Sequence, residues 1–160
     1  ASNVTSTGFS FDACMFVTEE KDKSMNKGHL SLNDIVLTSR GTLGNVALYD
    51  KHIGFENVRI NSGMLIIRPK TKRLSPHFIY ALLKSSYMKA AIERFKSGSA
   101  QPQLPIKDLQ KIVFEIPESD AVLASLDCQF LFIEEQISIN NKEIDKLKEL
   151  GSIFLAELSR

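Results

Sequence analysis

Three polar side chains near the start of the chain are of the types that hold a catalytic metal in some nucleases. Asp12, Glu19 and Lys21 resemble the acid, acid and lysine set of a metal-dependent nuclease. Carboxylates are ligands for Mg²⁺, and a lysine stabilises developing negative charge. Their spacing is loose and no proline adjoins Asp12, so a solvated polar loop from Glu19 to Lys27 explains these residues better.

A loop with two glycines carries a second group of polar side chains. The β-branched runs 35–38 and 46–49 flank it and predict a β-hairpin. Gly41 and Gly44 permit positive φ and a close backbone approach, although the motif is too short for a P-loop. A plain hairpin turn is the alternative to DNA contact. The residues that could meet a phosphate or a base edge are Ser39, Arg40, Gly41, Thr42 and Asn45.

The segment 69–96 is rich in Lys and Arg and has a single acid, Glu93. Ser75 followed by Pro76 predicts a helix start, and apolar residues then recur at helical spacing as far as Phe95. We expect the aromatic side chains to lie in the core. The cations, Lys84 and Lys96 among them, are either the solvated face of this helix or contacts to DNA phosphates.

A connector over 97–117 links this helix to the C-terminal region. Its polar residues Ser97, Ser99 and Gln101 are either further DNA contacts or part of a hinge that fixes the domain on the next helix. The run 112–117 predicts a short strand that ends at Pro117. An earlier unbroken apolar run, 63–68, predicts a strand buried on both faces.

Apolar residues recur at alternating steps of three and four from Leu123 to Leu158, a pattern typical of a coiled-coil helix. Such a helix is about 54 Å long and needs a partner helix to bury its seam. Asn140 would fix the pairing register, and Gly151 would weaken the last turns. The predicted seam comprises Leu126, Phe130, Ile133, Ile137, Asn140, Ile144, Leu147, Phe154 and Leu158.

Charge divides the chain into a basic part and an acidic part. Residues 1–117 contain 16 Lys and Arg against 10 Asp and Glu, and residues 118–160 contain 4 against 9. A basic globular part attracts phosphate backbones, whereas an acidic helix avoids them. The split therefore favours nucleic acid as the partner of the globular part and protein as the partner of the helix, although a solvated charged surface would look the same.

Composition indicates an ordinary cytoplasmic protein of 160 residues, with 43% apolar and 24% charged residues. There is no apolar run of membrane-spanning length and no secretion signal. Cys14 and Cys128 are expected to be reduced and packed. No methyltransferase quartet, glycine-rich cofactor loop or metal-spaced His and Cys cluster occurs, so we expect no catalysis, no cofactor and no metal.

The order of several motifs resembles the DNA-specificity subunit of type I restriction-modification systems, over roughly residues 28–160. The similarity includes the predicted helix from Pro76 to Lys89 and the short run that ends at Pro117. The other motifs that carry it are Arg40-Gly41-Thr42-x-Gly44, Gly98-Ser99-x-Gln101-Pro102-x-Leu104 and Glu134-Glu135-Gln136.

The resemblance implies an α+β fold: a mixed α/β target recognition domain over 1–117, short at its N-terminus, and a spacer helix over 118–160. It also implies a non-catalytic protein that binds double-stranded DNA. Such a protein directs adenine-methyltransferase and restriction subunits to a split site. Family members have two such domains, so we expect either a fragment or a half-length subunit that forms a homodimer through its helix. A structural coiled-coil oligomerisation protein without specific DNA binding is the alternative.

Overall fold

The computed structural model describes residues 2–98 and 101–158 and has the expected α+β architecture. A two-stranded β-hairpin, a three-stranded antiparallel sheet and short helices precede one long helix. In chain order the elements are β1 (Val4–Thr5), β2 (Gly8–Phe9), α1 (Glu19–Ser24), β3 (Asp34–Thr38), β4 (Val46–Tyr49), β5 (Met64–Ile67), α2 (Pro76–Lys84), α3 (Ser86–Phe95), α4 (Ile106–Leu109) and α5 (Asp120–Leu158).

The three-stranded sheet has the order β4-β3-β5, with every residue of β3 buried. The predicted hairpin is confirmed, because β3 and β4 pair antiparallel with Ile35 opposite Leu48. The strand predicted over 63–68 is present as β5, but its burial on both faces was wrong. It is an edge strand, and only Met64 in it is fully buried, because no further strand of the described residues pairs with its outer edge.

Alternating side chains of β3 point to the two faces of the sheet and divide the core in two. Ile35 and Leu37 face α2 and α3, where they pack with Tyr80, Leu83 and Met88. On the other face, β1 and β2 cover a smaller cluster made of Val4, Leu30, Val36, Ala47 and Met64. The sheet is therefore held from both sides as one rigid layer.

Three local predictions were wrong, two of them because a side-chain hydrogen bond sets the start of a helix. Ser85 divides the predicted single helix into α2 and α3, since it adopts an extended conformation and its Oγ caps α3 at Met88 N–H. The predicted loop from residue 19 contains α1, which Thr18 caps. Residues 112–117 form no strand. The Ser75 cap of α2 is confirmed by its bond from Phe78 N–H.

The long C-terminal helix is confirmed as α5, which has 39 residues and is about 58 Å long. Its first half packs on α2, and Leu123 is only 3% exposed there. Much of its second half is exposed, and Leu147 and Phe154 are 61% and 62% exposed. In the described ranges, each helix is too short or too polar to cross a membrane.

Candidate nucleic-acid interface

Three loops meet at one end of the three-stranded sheet, and backbone hydrogen bonds join them. Ser39, just after β3, donates its N–H to Gly63 O at 2.8 Å, and Arg40 N–H donates to the same oxygen at 3.2 Å. Leu104 N–H donates to Ser39 O at 3.0 Å. We call this surface the loop end, defined as residues 39–45, 61–63, 97–98 and 101–103. It contains the predicted glycine loop and the predicted connector.

The connector folds back on itself beside Arg40. Ser97 and Gln103 exchange two backbone hydrogen bonds of 2.9 Å, and Gln103 also lies opposite Arg40 in an antiparallel bridge. Gly98 has φ +85°, and a Cβ added there would lie 2.8 Å from Gln101 O. The turn therefore requires glycine, because no side chain fits so close to a backbone oxygen.

Hydrogen bonds within the glycine loop hold its backbone in one conformation. Thr38 Oγ1 donates to Thr42 O, and Asn45 N–H donates to Thr38 Oγ1 at 2.9 Å. Gly44 has φ +86°, and an added Cβ would lie 3.0 Å from Ile92 Cδ1. A loop ordered in this way loses little conformational entropy when it binds a ligand.

The side chains that the loop end offers to a partner are polar and exposed. Within the described residues, the Arg40 guanidinium has no ion pair or hydrogen bond, and Thr42 is exposed beside it. Asn61 Oδ1 accepts Gly63 N–H at 2.9 Å, which leaves its amide nitrogen free to donate. The sequence reasoning did not include Asn61, although the Asn-Ser-Gly turn before an apolar run is a recognisable signal of such a loop.

Other predicted contact residues have structural partners instead. Asn45 Nδ2 donates to Val4 O at 3.0 Å and so fastens β1 to the glycine loop. Ser39 is 7% exposed, and Lys96 Nζ lies 2.6 Å from Glu93 Oε2. Of the remaining predicted contact residues, Gln101 is exposed at the loop end, and Ser99 lies outside the described residues.

The acidic helix supplies partners for several cations of the globular part. Lys84 Nζ lies 3.5 Å from Glu134 Oε1 and 4.6 Å from the centroid of the Tyr80 ring. Lys51 pairs with Glu135, and Arg73 pairs with Asp120. The charge split seen in the sequence is therefore partly complementarity within the chain. It is weaker evidence for DNA binding than the sequence alone indicated.

The helix is fastened at the opposite end of the sheet from the loop end. Lys51 follows β4 and Arg73 follows β5, whereas Arg40 follows β3, which runs antiparallel to both of these strands. At this opposite end an ion pair joins β3 to the residue after β5: the half-exposed Arg68 donates from Nε and Nη2 to the buried carboxylate of Asp34. The sheet thus separates the loop end from the α5 attachment.

Asp34 is an ionised carboxylate at a buried position. Burial raises its pKa, but the hydrogen bonds from Arg68 and from Ser31 N–H outweigh burial, so the net pKa lies below the usual aspartate value. Burial likewise raises the pKa of the Tyr80 hydroxyl, with the carboxylates of Glu134 and Asp50 adding to the effect. Neither group lies at the loop end, so both are structural.

The acid, acid and lysine set near the N-terminus is not assembled as a metal site. Asp12 accepts from Ser10 Oγ at 2.8 Å, and Glu19 pairs with Lys23 along α1. No three His, Cys, Asp or Glu side chains come together as metal ligands within 2–98 and 101–158.

Comparison with known proteins identifies the family to which the chain belongs. A family model described as the type I restriction modification DNA specificity domain matches residues 4–149. A search of curated proteins found no match. The family match spans both sheets, the loop end and most of α5. The chain therefore belongs to the family of type I restriction modification DNA specificity domains.

Proposed function

We propose that the loop end reads one half of a split DNA sequence. Family membership supports recognition of DNA, and the observation that carries the choice of surface is Arg40. Its guanidinium is exposed and has no partner among residues 2–98 and 101–158, while its backbone is fixed by Gly63 and by the bridge to Gln103. An arginine held in this way suits bidentate donation to the O6 and N7 atoms of guanine in the major groove.

The neighbouring polar groups serve the same contact in this proposal. Thr42, Asn61 and Gln101 donate to base edges or phosphates, and Lys96 contacts a phosphate in exchange for Glu93. Lys84 contributes indirectly, because its ion pair with Glu134 holds the domain on α5.

We propose further that residues 1–117 act as the recognition unit and residues 118–160 as a spacer that pairs with a second copy. Support comes from the apolar residues Ile144, Leu147, Phe154 and Leu158, which are exposed along the second half of α5. Two identical units related by a two-fold axis would read a symmetric split site. The unit itself does no chemistry and acts in the cytoplasm by placing modification subunits, and through them restriction subunits, on DNA.

The second candidate is a structural protein whose only activity is coiled-coil assembly. The exposed seam favours it as well, since burial of these side chains would stabilise any assembly by about 1.5–3 kcal/mol per residue. It differs from the first candidate because it predicts no sequence-dependent DNA binding by the loop end.

Co-expression with the neighbouring modification subunit, followed by a genome-wide map of methylated adenine, tests the proposal. We expect methylation at a split motif with a fixed gap, and symmetric halves if two copies pair. The matched control is the Arg40→Ala variant, which should lose or relax the motif. Stable co-purification without new methylation in the wild type would favour the structural candidate.

A further inference from the structure

Polar contacts fasten α5 to the domain at two separated places. Near the start of the helix, Arg73 Nε donates to Asp120 Oδ1 at 3.0 Å, and its Nη2 donates to Glu118 O at 2.6 Å. Ser75, the N-cap of α2, donates its Oγ to Asp127. The first place is therefore the junction of the domain, the connector and the helix.

The second place lies two turns beyond Asp127 along the helix. Lys84 pairs with Glu134, and Lys51, in the loop after β4, pairs with Glu135 at 3.4 Å between Nζ and Oε1. Asp120 and Glu135 are separated by about 22 Å along the helix axis. In the described part of the chain, ion pairs between α5 and the domain end at Glu135.

Apolar contact lies between these two places but does not define an angle. Phe130 packs edge-on against Phe78, with 5.5 Å between ring centroids, and Leu123 is buried nearby. Apolar packing is less directional than hydrogen bonding, so this contact alone restricts pivoting and sliding of the helix less tightly than polar contacts do. Hydrogen bonds and ion pairs depend on distance and angle, so two sets of them that together span about 22 Å of the helix hold one helix direction.

The direction of α5 decides where the loop end lies relative to a paired second copy. The loop end and the α5 attachment are at opposite ends of a rigid sheet, so a change of angle at the attachment moves Arg40 along and around the DNA. One additional base pair between the half-sites shifts a half-site by about 3.4 Å and about 36°. A rigid attachment therefore rejects sites whose gap is one base pair too long or too short.

We propose that the polar contacts of Lys51, Arg73, Ser75 and Lys84 with α5 determine the gap length that this protein accepts. They act as positioning residues, because they contact the helix and not the DNA. The inference rests on the proposed function, since only a protein that binds a split site has a gap to measure.

The test compares two triple variants in the co-expression system. Asp127→Asn, Glu134→Gln and Glu135→Gln together remove the charges on the helix that meet Ser75, Lys84 and Lys51, with little change of shape, and leave the contacts of Arg73 in place. Glu143→Gln, Glu149→Gln and Glu157→Gln together form the matched control, because they remove the same charge from exposed positions of the same helix. The measured quantity is the ratio of adenine methylation at sites with a gap one base pair too long or too short to methylation at sites with the wild-type gap.

We expect the first triple variant to keep the half-site sequences while its gap ratio rises about tenfold, which corresponds to about 1.4 kcal/mol of lost discrimination. The control should keep the wild-type ratio. If the first triple variant does not fold, the single change Glu135→Gln replaces it, since Lys51 is largely exposed and Glu135 is partly exposed. The swap Lys51→Glu with Glu135→Lys should restore a single gap.

Two results would overturn the inference in distinguishable ways. A wild type that directs no split-site methylation would remove the proposed function and this inference with it. A wild type with one gap, together with a folded variant whose gap ratio stays at the wild-type value, would remove this inference alone. The second result includes a variant that loses methylation at all gaps equally.

Discussion

Lys84 Nζ lies 3.5 Å from Glu134 Oε1, so a lysine that looks in the sequence like a DNA contact joins the domain to the long helix. This pair is partly exposed and Lys84 also lies over the Tyr80 ring, so its contribution to stability is modest. The basic surface that remains for DNA is therefore smaller than the composition indicates.

Lys84→Ala should lower the free energy of unfolding by about 1 kcal/mol, because it removes the ion pair and the ring contact. Urea denaturation measures this, and Lys89→Ala, at an exposed position of α3, is the control. The salt dependence of DNA binding should stay unchanged. If the slope of the logarithm of the binding constant against the logarithm of the salt concentration fell by about 1, and binding weakened equally on all DNA, Lys84 would contact a phosphate instead.

Arg40→Ala should weaken binding to the cognate half-site by about 1–3 kcal/mol and leave random DNA nearly unaffected, because a base contact is lost. Fluorescence anisotropy with both duplexes at one salt concentration measures the difference. Lys70→Ala, an exposed change beyond the far end of the sheet, should weaken neither duplex measurably. An equal loss on cognate and random DNA would contradict a base-reading role for Arg40.

Asp34→Asn should lower the free energy of unfolding by about 1.5–3 kcal/mol at neutral pH, because Arg68 loses its charged acceptor. The pKa of Asp34 is lower in the folded chain than in the unfolded one, so its contribution is fully present above the unfolded pKa near 3.8. The contribution is lost as the pH falls through the lower, folded pKa.

Urea denaturation of wild type and Asp34→Asn from pH 7 downwards measures this dependence. Asp145→Asn, at an exposed pair with Lys148, should have almost no effect at any pH. A stability difference between wild type and Asp34→Asn that stays constant below pH 3.8 would contradict the assignment.

Leu147→Glu should abolish pairing of two copies, because a charge would enter the apolar seam in the second half of α5. Ile153→Glu is the matched control, since Ile153 is also about half exposed but lies about 120° around the helix. Analytical ultracentrifugation reports the mass of each variant. A wild type that is monomeric at high concentration, or two variants that dissociate equally, would argue against this seam.

Gly44→Ala should lower the free energy of unfolding by about 2 kcal/mol, because residue 44 has φ +86° and an added Cβ would press on Ile92. Gly54→Ala, where an added Cβ meets no atom within 4 Å, should change it by less than about 0.5 kcal/mol. Thermal unfolding of the two variants makes the comparison. If Gly44→Ala left the free energy of unfolding unchanged, the glycine loop would have to shift to make room for the added Cβ.

The sequence by itself determined the local elements, because local patterns produce them. β-branched runs on either side of a glycine loop place β3 and β4, Ser75 and Pro76 begin α2, and the heptad repeat predicts α5. Prediction from the sequence was less reliable where one hydrogen bond sets a helix boundary, as at Ser85. It was also less reliable where burial depends on neighbouring elements, as in β5.

Only the tertiary structure decided which polar residues share a surface and which are already paired. Asn61 joins Arg40 through contacts between residues more than twenty positions apart, and no local pattern encodes such a contact. Lys84 and Asn45 likewise find partners at distant positions. Packing of α2 on α5 and of β5 beside β3 sets these distances, because side-chain chemistry becomes a site only when the chain brings the groups together.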